Sequence, residues 1–316
     1  MSEPASTVAA ANAAQPVLNA AIGGEPIKGE GGSLRTRRVI GDILSHVFLV
    51  VLSIMWLVPI IWVLAESFNA YTGQTVQTFF PTEYTLDNYI QLFTDTSQMN
   101  FLQMFLRTLV IAIFVCAIQV FFVLSVAYCM SRLRFKLRKP FMNGALIIGM
   151  FPGIMSAVAI YFLLKAMGLT ESVTGTTIGL IIVYAAGAGA GFYVMKGFMD
   201  TIPMSLDEAA MLDGCTKWEV FAKIILPITK PMIVYQAITA FLVPWLDYVL
   251  AKVVVLGDQG KYTVALGMYQ MLQREYIARW YARFAAAAVC VSIPIAVLFI
   301  IMQRFYQASM SGSVKG

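Results

Sequence analysis

Few side chains in this sequence are equipped for catalysis. The single histidine, His46, lies inside an apolar run, so a His-rich metal site and an H-E-x-x-H pair are both impossible, and a Ser-His-Asp triad would need that buried ring. Gly257-Asp258-Gln259-Gly260-Lys261 has some look of a phosphate loop, but Val255 stands five before Gly260 and Tyr262 follows Lys261, which is not the Walker spacing. Gly187, Gly189 and Gly191 begin like a dinucleotide turn until Phe192 takes the place of the last glycine; small residues in an apolar run suit close helix packing instead. No nucleophile, base and orienter fall together. The sequence therefore offers no site for catalysis, for a metal or for ATP.

The stretch from Met195 to Pro231 is better patterned. Ser205-Leu206-Asp207-Glu208 has the form of a capping box, with the Ser205 hydroxyl accepting from the Glu208 amide and both acids favouring a helix N-terminus. Gly214 suits the left-handed position that ends a helix. Thr216-Lys217-Trp218-Glu219 repeats the capping pattern, for a second short helix expected to run to Leu226 and stop at Pro227. Neither is long enough to cross a bilayer. Leu206 and Met211 can anchor in an apolar groove, while Ala209 and Ala210 leave room for a partner to approach.

The elements that position this loop are membrane spans. Of the 316 residues 59% are hydrophobic and only 12% charged, against roughly 25% charged in a soluble domain. Runs of about 20 apolar residues suffice to cross the hydrocarbon. Six are expected: Ile43 to Ala65, Leu109 to Met130, Ala145 to Leu164, Thr177 to Val194, Met232 to Val249 and Phe284 to Met302. Backbone satisfaction in lipid requires them to be helices, giving an all-α membrane protein. The 22 basic residues lie mostly between these runs, which argues against a nucleic-acid partner; fifteen fall on one side if the N-terminus is inside. The positive-inside rule then puts both termini in the cytoplasm. Five of the remaining seven, Lys252, Lys261, Arg274, Arg279 and Arg283, oppose that assignment. Residues 1–40, rich in Ala, Gly, Ser and Pro, are expected to be a disordered cytoplasmic tail; 41–308 form the six-span membrane domain, with the patterned loop at 195–231, and 309–316 a second cytoplasmic tail. The four cysteines imply no disulfide framework.

Glu208-Ala209-Ala210, three residues, Gly214, nine residues, Ile224, one residue, Leu226-Pro227 resembles the EAA loop of binding-protein-dependent ABC importer permeases. The resemblance extends through Phe80-Pro81-Thr82, Leu86-Asp87-Asn88-Tyr89, Tyr128 to Arg134, and Gln303-Arg304 with the terminal Gly312-Ser313-Val314-Lys315-Gly316. These features look like the maltose-type, carbohydrate-uptake branch. One departure is Leu246 in Trp245-Leu246-Asp247-Tyr248, where that branch usually has Asn after Trp.

The resemblance implies a six-span type I importer fold in a bacterial cytoplasmic membrane, contacting lipid, with no enzyme activity of its own. It implies a second related permease subunit, a pair of cytoplasmic ATPases that hold ATP and Mg, and an extracytoplasmic sugar-binding protein; this chain would bind no cofactor. Ser205, Leu206, Glu208, Ala209, Ala210, Met211, Asp213, Gly214, Ile224, Leu226 and Pro227 would form the ATPase-coupling surface. Gly312 and Lys315 would reach toward the ATPases from the C-terminal tail.

For a sugar path, the polar and aromatic residues within spans are the candidates: Gln119, Tyr128, Tyr161, Tyr184, Gln236, Trp245 and Asp247, with Ser125, Ser156 and Thr239 beside them. An acid inside a span normally faces protein or water, so Asp247 also suits a different class, a stand-alone ion-coupled transporter or channel. The EAA spacing opposes that alternative. Topology has a direct check: single cysteines at Ser97 and Ser205 in a Cys-free background are expected to label from opposite sides of the membrane, and labelling of both from outside overturns the six-span arrangement.

Overall fold

The computed structural model describes residues 31–71, 78–97, 99–150, 153–187, 191–273 and 277–312. Among them the backbone is helical, and the one strand-like pairing is an antiparallel bridge between Asn69 and Tyr84. The chain divides into two units, residues 1–60 and 61–316. The described part of the first is one helix, since α1 runs Gly31–Glu66. It begins ten residues ahead of the expected end of the N-terminal tail, because Leu34, Arg35, Arg37 and Arg38 are good helix formers. Residues 1–30 of that tail lie outside the described residues.

In the second unit, α2 is Asp87–Thr94, α3 Phe101–Arg132, α4 Arg138–Gly149, α5 Gly153–Ala166, α6 Val173–Ala186 and α7 Gly191–Asp200. Two short helices follow: α8, Met204–Leu212, and α9, Lys217–Ile228, whose middle, Val220–Ile225, is π-helical. Then come α10, Lys230–Leu246; α11, Val249–Val255; α12, Val264–Met271; and α13, Ile277–Gly312. Among the described residues four stretches are long and apolar enough to cross a membrane: Val39–Glu66, Phe101–Arg132, Val173–Asp200 across the undescribed 188–190, and Trp280–Gln303. The bent pair α9 and α10 makes a fifth if counted as one span.

The expected third span is divided. α4 and α5 have 12 and 14 residues, each too short alone, and Pro152-Gly153 at the junction disfavours a continuous helix. Nor does Pro227 stop α9. A proline lacks a donor and is tolerated in the first turn of the short segment Leu226–Ile228. The chain turns instead at Thr229, where α9 and α10 meet at 76° and the buried Thr229 hydroxyl donates to the carbonyls of Ile225 and Leu226. The fifth expected span also ends early, at Leu246, with the chain extended at Asp247 before α11 begins. At the C-terminus α13 continues to Gly312, through part of the expected tail.

α3 is the helix the others use. Ile111, Val115, Gln119, Val123 and Ala127 recur at fourfold spacing on one buried face, and α10, α7 and α6 pack along it. The segment after α1 is tied down by polar bonds: Asn88 donates to the carbonyls of Ser67 and Asn69, and Ser67 bonds the Tyr89 hydroxyl at 2.7 Å. Arg283 of α13, 4% exposed, pairs with Asp95 at 2.8 Å, bonds Gln91, and lies over the Trp280 ring. Removing one partner of a buried ion pair costs about 3–5 kcal/mol. Arg283→Ala is therefore expected to lower the unfolding midpoint of the detergent-solubilised protein, whereas Lys223→Ala, which breaks an exposed pair, should shift it little.

Candidate functional site

The chain enters α8 from Ile202, a buried residue, through Pro203, the N-cap, whose φ of −57° suits a helix start while its ψ of 131° is still extended. The helix begins at Met204, two residues before the Leu206 start that Ser205 as N-cap implied. Ser205 falls inside its first turn with its side chain exposed, and the capping box expected from Ser205 and Glu208 is not formed. Asp207 and Ala210 share the inward face of α8. Ser205, Leu206, Glu208, Ala209, Met211, Leu212 and Asp213 are exposed. Ala210 therefore does not offer room to an outside partner: it packs in the cluster of Val123, Leu124, Met130 and Met199, and its small size lets α8 approach the body of the protein.

Gly214 ends the helix as its type suggested. Its φ is +88°, its amide donates to Met211, and the Cys215 amide reaches back to the Ala210 carbonyl at 2.9 Å, the two bonds of a Schellman closure. Thr216 and Glu219 form the second capping box in full: the Thr216 amide donates to Glu219 Oε2 at 3.0 Å and the Glu219 amide to Thr216 Oγ1 at 3.3 Å. Lys223 Nζ lies 2.8 Å from Glu219 Oε1. The Lys223 bond, then the two from Thr216, pull the Glu219 carboxyl down to about 2, and Glu219 in turn raises Lys223. Ile224 and Leu226 are half-buried and Pro227 is exposed.

The last turn of α3 meets this loop. Arg132 donates from Nη2 to the carbonyls of Met199 and Ile202 at 2.8 and 2.9 Å, and its Nε stands 3.5 Å from Asp207 Oδ2. Burial pushes the Asp207 carboxyl above its ordinary value, against the opposing pull of Arg132. Tyr128, a candidate for the sugar path, stands here instead: its hydroxyl donates to the Lys217 carbonyl and its ring lies 4.7 Å from that of Phe221.

Four other path candidates are brought together. Gln236 Nε2 donates to Gln119 Oε1 at 3.1 Å, Gln119 Nε2 to the Tyr184 carbonyl at 2.7 Å, and the Tyr184 hydroxyl to Asp247 Oδ2 at 2.7 Å. Asp247 also accepts the amides of Leu250 and Ala251, capping α11 at the break. Gly191 lets α7 come close here, since a Cβ would stand 3.1 Å from Gln236 Oε1. Trp245 is 3% exposed against Phe105 and Phe241, with its indole N–H unpartnered. Tyr161 lies edge-on to Phe162, outside this chain of bonds. Ser125 and Thr239 bond carbonyls of their own helices. Gly312 is the last described residue, and Lys315 lies outside the described residues. In the sequence Asp207 stood out only as an acid favouring a helix start and Arg132 only as part of the Tyr128 to Arg134 stretch; their pairing across 75 residues of chain has no local signal.

The family described as "Binding-protein-dependent transport system inner membrane component" matches residues 86–312. The chain belongs to this family. It is 32% identical over 285 residues to the galactooligosaccharides transport system permease protein GanQ of Bacillus subtilis (strain 168), covering 90% of this chain and 99% of that one. It is 33% identical over 282 residues to the maltodextrin transport system permease protein MdxG of the same organism, covering 89% and 99%. A solved structure of a bacterial ABC transporter involved in import of the acidic polysaccharide alginate has the same fold, with a TM-score of 0.65 at 19% identity over 89% of this chain and 100% of that chain. This permease is thus a transport subunit of the ABC importer type rather than an enzyme.

The geometry of Glu219 fixes a pH dependence. Its carboxyl is depressed from 4.5 to about 2 on folding, so its contribution is fully present above about 4.5 and lost as the pH falls toward 2. The advantage in unfolding midpoint of the parent over Glu219→Gln is expected to be level from pH 7 to 5 and to shrink below 4.5.

Proposed function

We propose that this chain is one permease subunit of an ATP-driven, binding-protein-dependent importer of an oligosaccharide, in a bacterial cytoplasmic membrane with both termini in the cytoplasm. The observation that carries the reading is the loop of α8, Gly214 and α9. Two short helices joined by a left-handed glycine project Leu206, Met211, Leu212 and Trp218 as exposed apolar side chains, with Leu212 89% and Trp218 70% exposed. A stiff, apolar-faced helix is what a neighbouring protein needs in order to push on the membrane part without melting it. The partners are a second permease of the same family, a pair of ATPases that bind and hydrolyse ATP with Mg, and an extracytoplasmic solute-binding protein. The exposed residues Glu208, Ala209, Met211 and Asp213 make the ATPase contact, and the C-terminal residues Gly312 and Lys315 extend it.

The relatives named for galactooligosaccharides and maltodextrin support an oligosaccharide as cargo. Six spans are completed by α4 and α5 together and by α10 with α11. Asp247 caps a helix and holds Tyr184, which uses its acceptor capacity structurally and weakens the case for an ion-coupled transporter. Reconstituted with its partners, the complex takes up oligosaccharide with ATP and ignores protonophores; uptake that follows the proton gradient without ATPase overturns the reading. At Gly214 a β-branched side chain would cost on the order of 1–2 kcal/mol in the left-handed conformation. Gly214→Val is expected to leave the complex assembled but lower uptake per ATP, and transport at the parental rate would refute a mechanical role for this loop.

A further inference from the structure

The loop that bears α8 and α9 is strung between α7 and α10, yet its polar anchorage is to α3. Four residues of α3's last two turns reach across. Tyr128 bonds the Lys217 carbonyl, Ser131 donates to Asp200 Oδ1 at 2.6 Å, and Arg132 holds the Met199 and Ile202 carbonyls while facing Asp207; Met130 joins the apolar cluster around Ala210. The side chains of Arg132 and Asp207 are 3% and 9% exposed. Neither can swing into solvent without dragging its helix, and the rigid guanidinium presents Nη2 to two carbonyls while its Nε faces the carboxylate.

Beside this anchorage the packing is incomplete. A cavity of about 590 Å³ separates the end of α3 from α8 and α9, lined by Tyr128, Arg132, Met204, Asp207, Met211 and Val220 among others. On its other side the apolar cluster of Val123, Leu124 and Met130 with Met199, Ala210 and Val220 packs the loop against α3, and the bonds of Arg132 and Tyr128 add the directional contacts. Arg132 Nε and Asp207 Oδ1 are buried without hydrogen-bond partners; Nε stands 3.5 Å from the other carboxylate oxygen, Oδ2, and a small closure of that contact would give Nε its acceptor.

We propose that Arg132 is the positioning residue through which movement of the coupling loop is delivered to α3, so that α8 and the last turn of α3 travel as one body. The proposal rests on the coupling reading given above and adds which span receives the movement. α3 is also the helix on which α6, α7 and α10 pack, so a displacement entering at Arg132 reaches all of them without first bending α7 or the 76° corner at Thr229.

The test uses the assembled importer in a Cys-free background, with spin labels at the exposed positions Arg134, just beyond the last turn of α3, and Ser205 on α8, which is not among the four residues that make the ATPase contact. The inter-label distance is expected to be the same in nucleotide-free and ATP-bound complexes, and to broaden and become nucleotide-dependent in Arg132→Met. Oligosaccharide moved per ATP is expected to fall in Arg132→Met by roughly two- to thirtyfold, the range over which changes within a coupling network act, while co-purification with the ATPases is retained. Arg132→Lys keeps the charge but not the fork and should recover only part of the loss. A parental distance that changes with nucleotide overturns the proposal, as does an Arg132→Met complex with the parental transport ratio. If Arg132→Met fails to assemble, the parental distances and Arg132→Lys still decide. Failure of the coupling reading is seen separately, as normal transport by Gly214→Val.

Discussion

A helix interrupted within hydrocarbon frees backbone groups that water cannot reach, and each must find a partner in the protein. That constraint organises this permease. Asp247 stands where α10 ends and turns both carboxylate oxygens to the task, accepting the first amides of α11 and the Tyr184 hydroxyl. Near the end of α6 the Tyr184 carbonyl receives Gln119. Gln236 completes the line by donating to Gln119. The interrupted α10–α11 stretch, α6 and the continuous α3 are thereby held by side chains whose polarity looked, in the sequence, like an invitation to a sugar. The same residues can line a path only with whatever bonding capacity this arrangement leaves, and Trp245, with its free indole N–H, retains a donor.

The cytoplasmic end is built on the opposite economy. Its short helices are stabilised by local closures, with Gly214 in a left-handed turn and Thr216 and Glu219 bonding each other. Their outward faces stay apolar and open, and their inward faces are small, as at Ala210, or ionic, as at Asp207. Helices this short are marginal alone, so the grip of Arg132 and the cluster around Ala210 supply the order that propensity does not.

Local signals were legible in the sequence where a local conformation decides the outcome. The glycine at 214 and the box at Thr216 and Glu219 follow from backbone and capping chemistry within a few residues, and the long apolar runs of α1, α3 and α13 follow from hydropathy. Ser205 and Glu208 carry the same capping pattern and do not form it, because Pro203 and the carbonyl of Ile202 held by Arg132 start the helix earlier; that contact is 70 residues distant in sequence. The breaks at Asp247 and Thr229 and the division of the third apolar run were hidden for a related reason. A window of hydropathy averages across a single capped residue, and whether a span continues depends on partners supplied by other helices. Tyr128 was assigned by type to the membrane path, while its position near the end of α3 puts it against Lys217 and Phe221.

The polar line through the spans also has an order in time. Gln119 and Tyr184 are 65 residues apart, and both are made before either Gln236 or Asp247 exists. Their bond can therefore close while the ribosome is still extending the chain. Asp247 arrives 63 residues after Tyr184, and Gln236 reaches back 117 residues to Gln119. Until Asp247 has been made, the Tyr184 hydroxyl lacks the acceptor it has in the folded protein. In chain order, α10 and the turn into α11 supply the partners that α3 and α6, made before them, leave open.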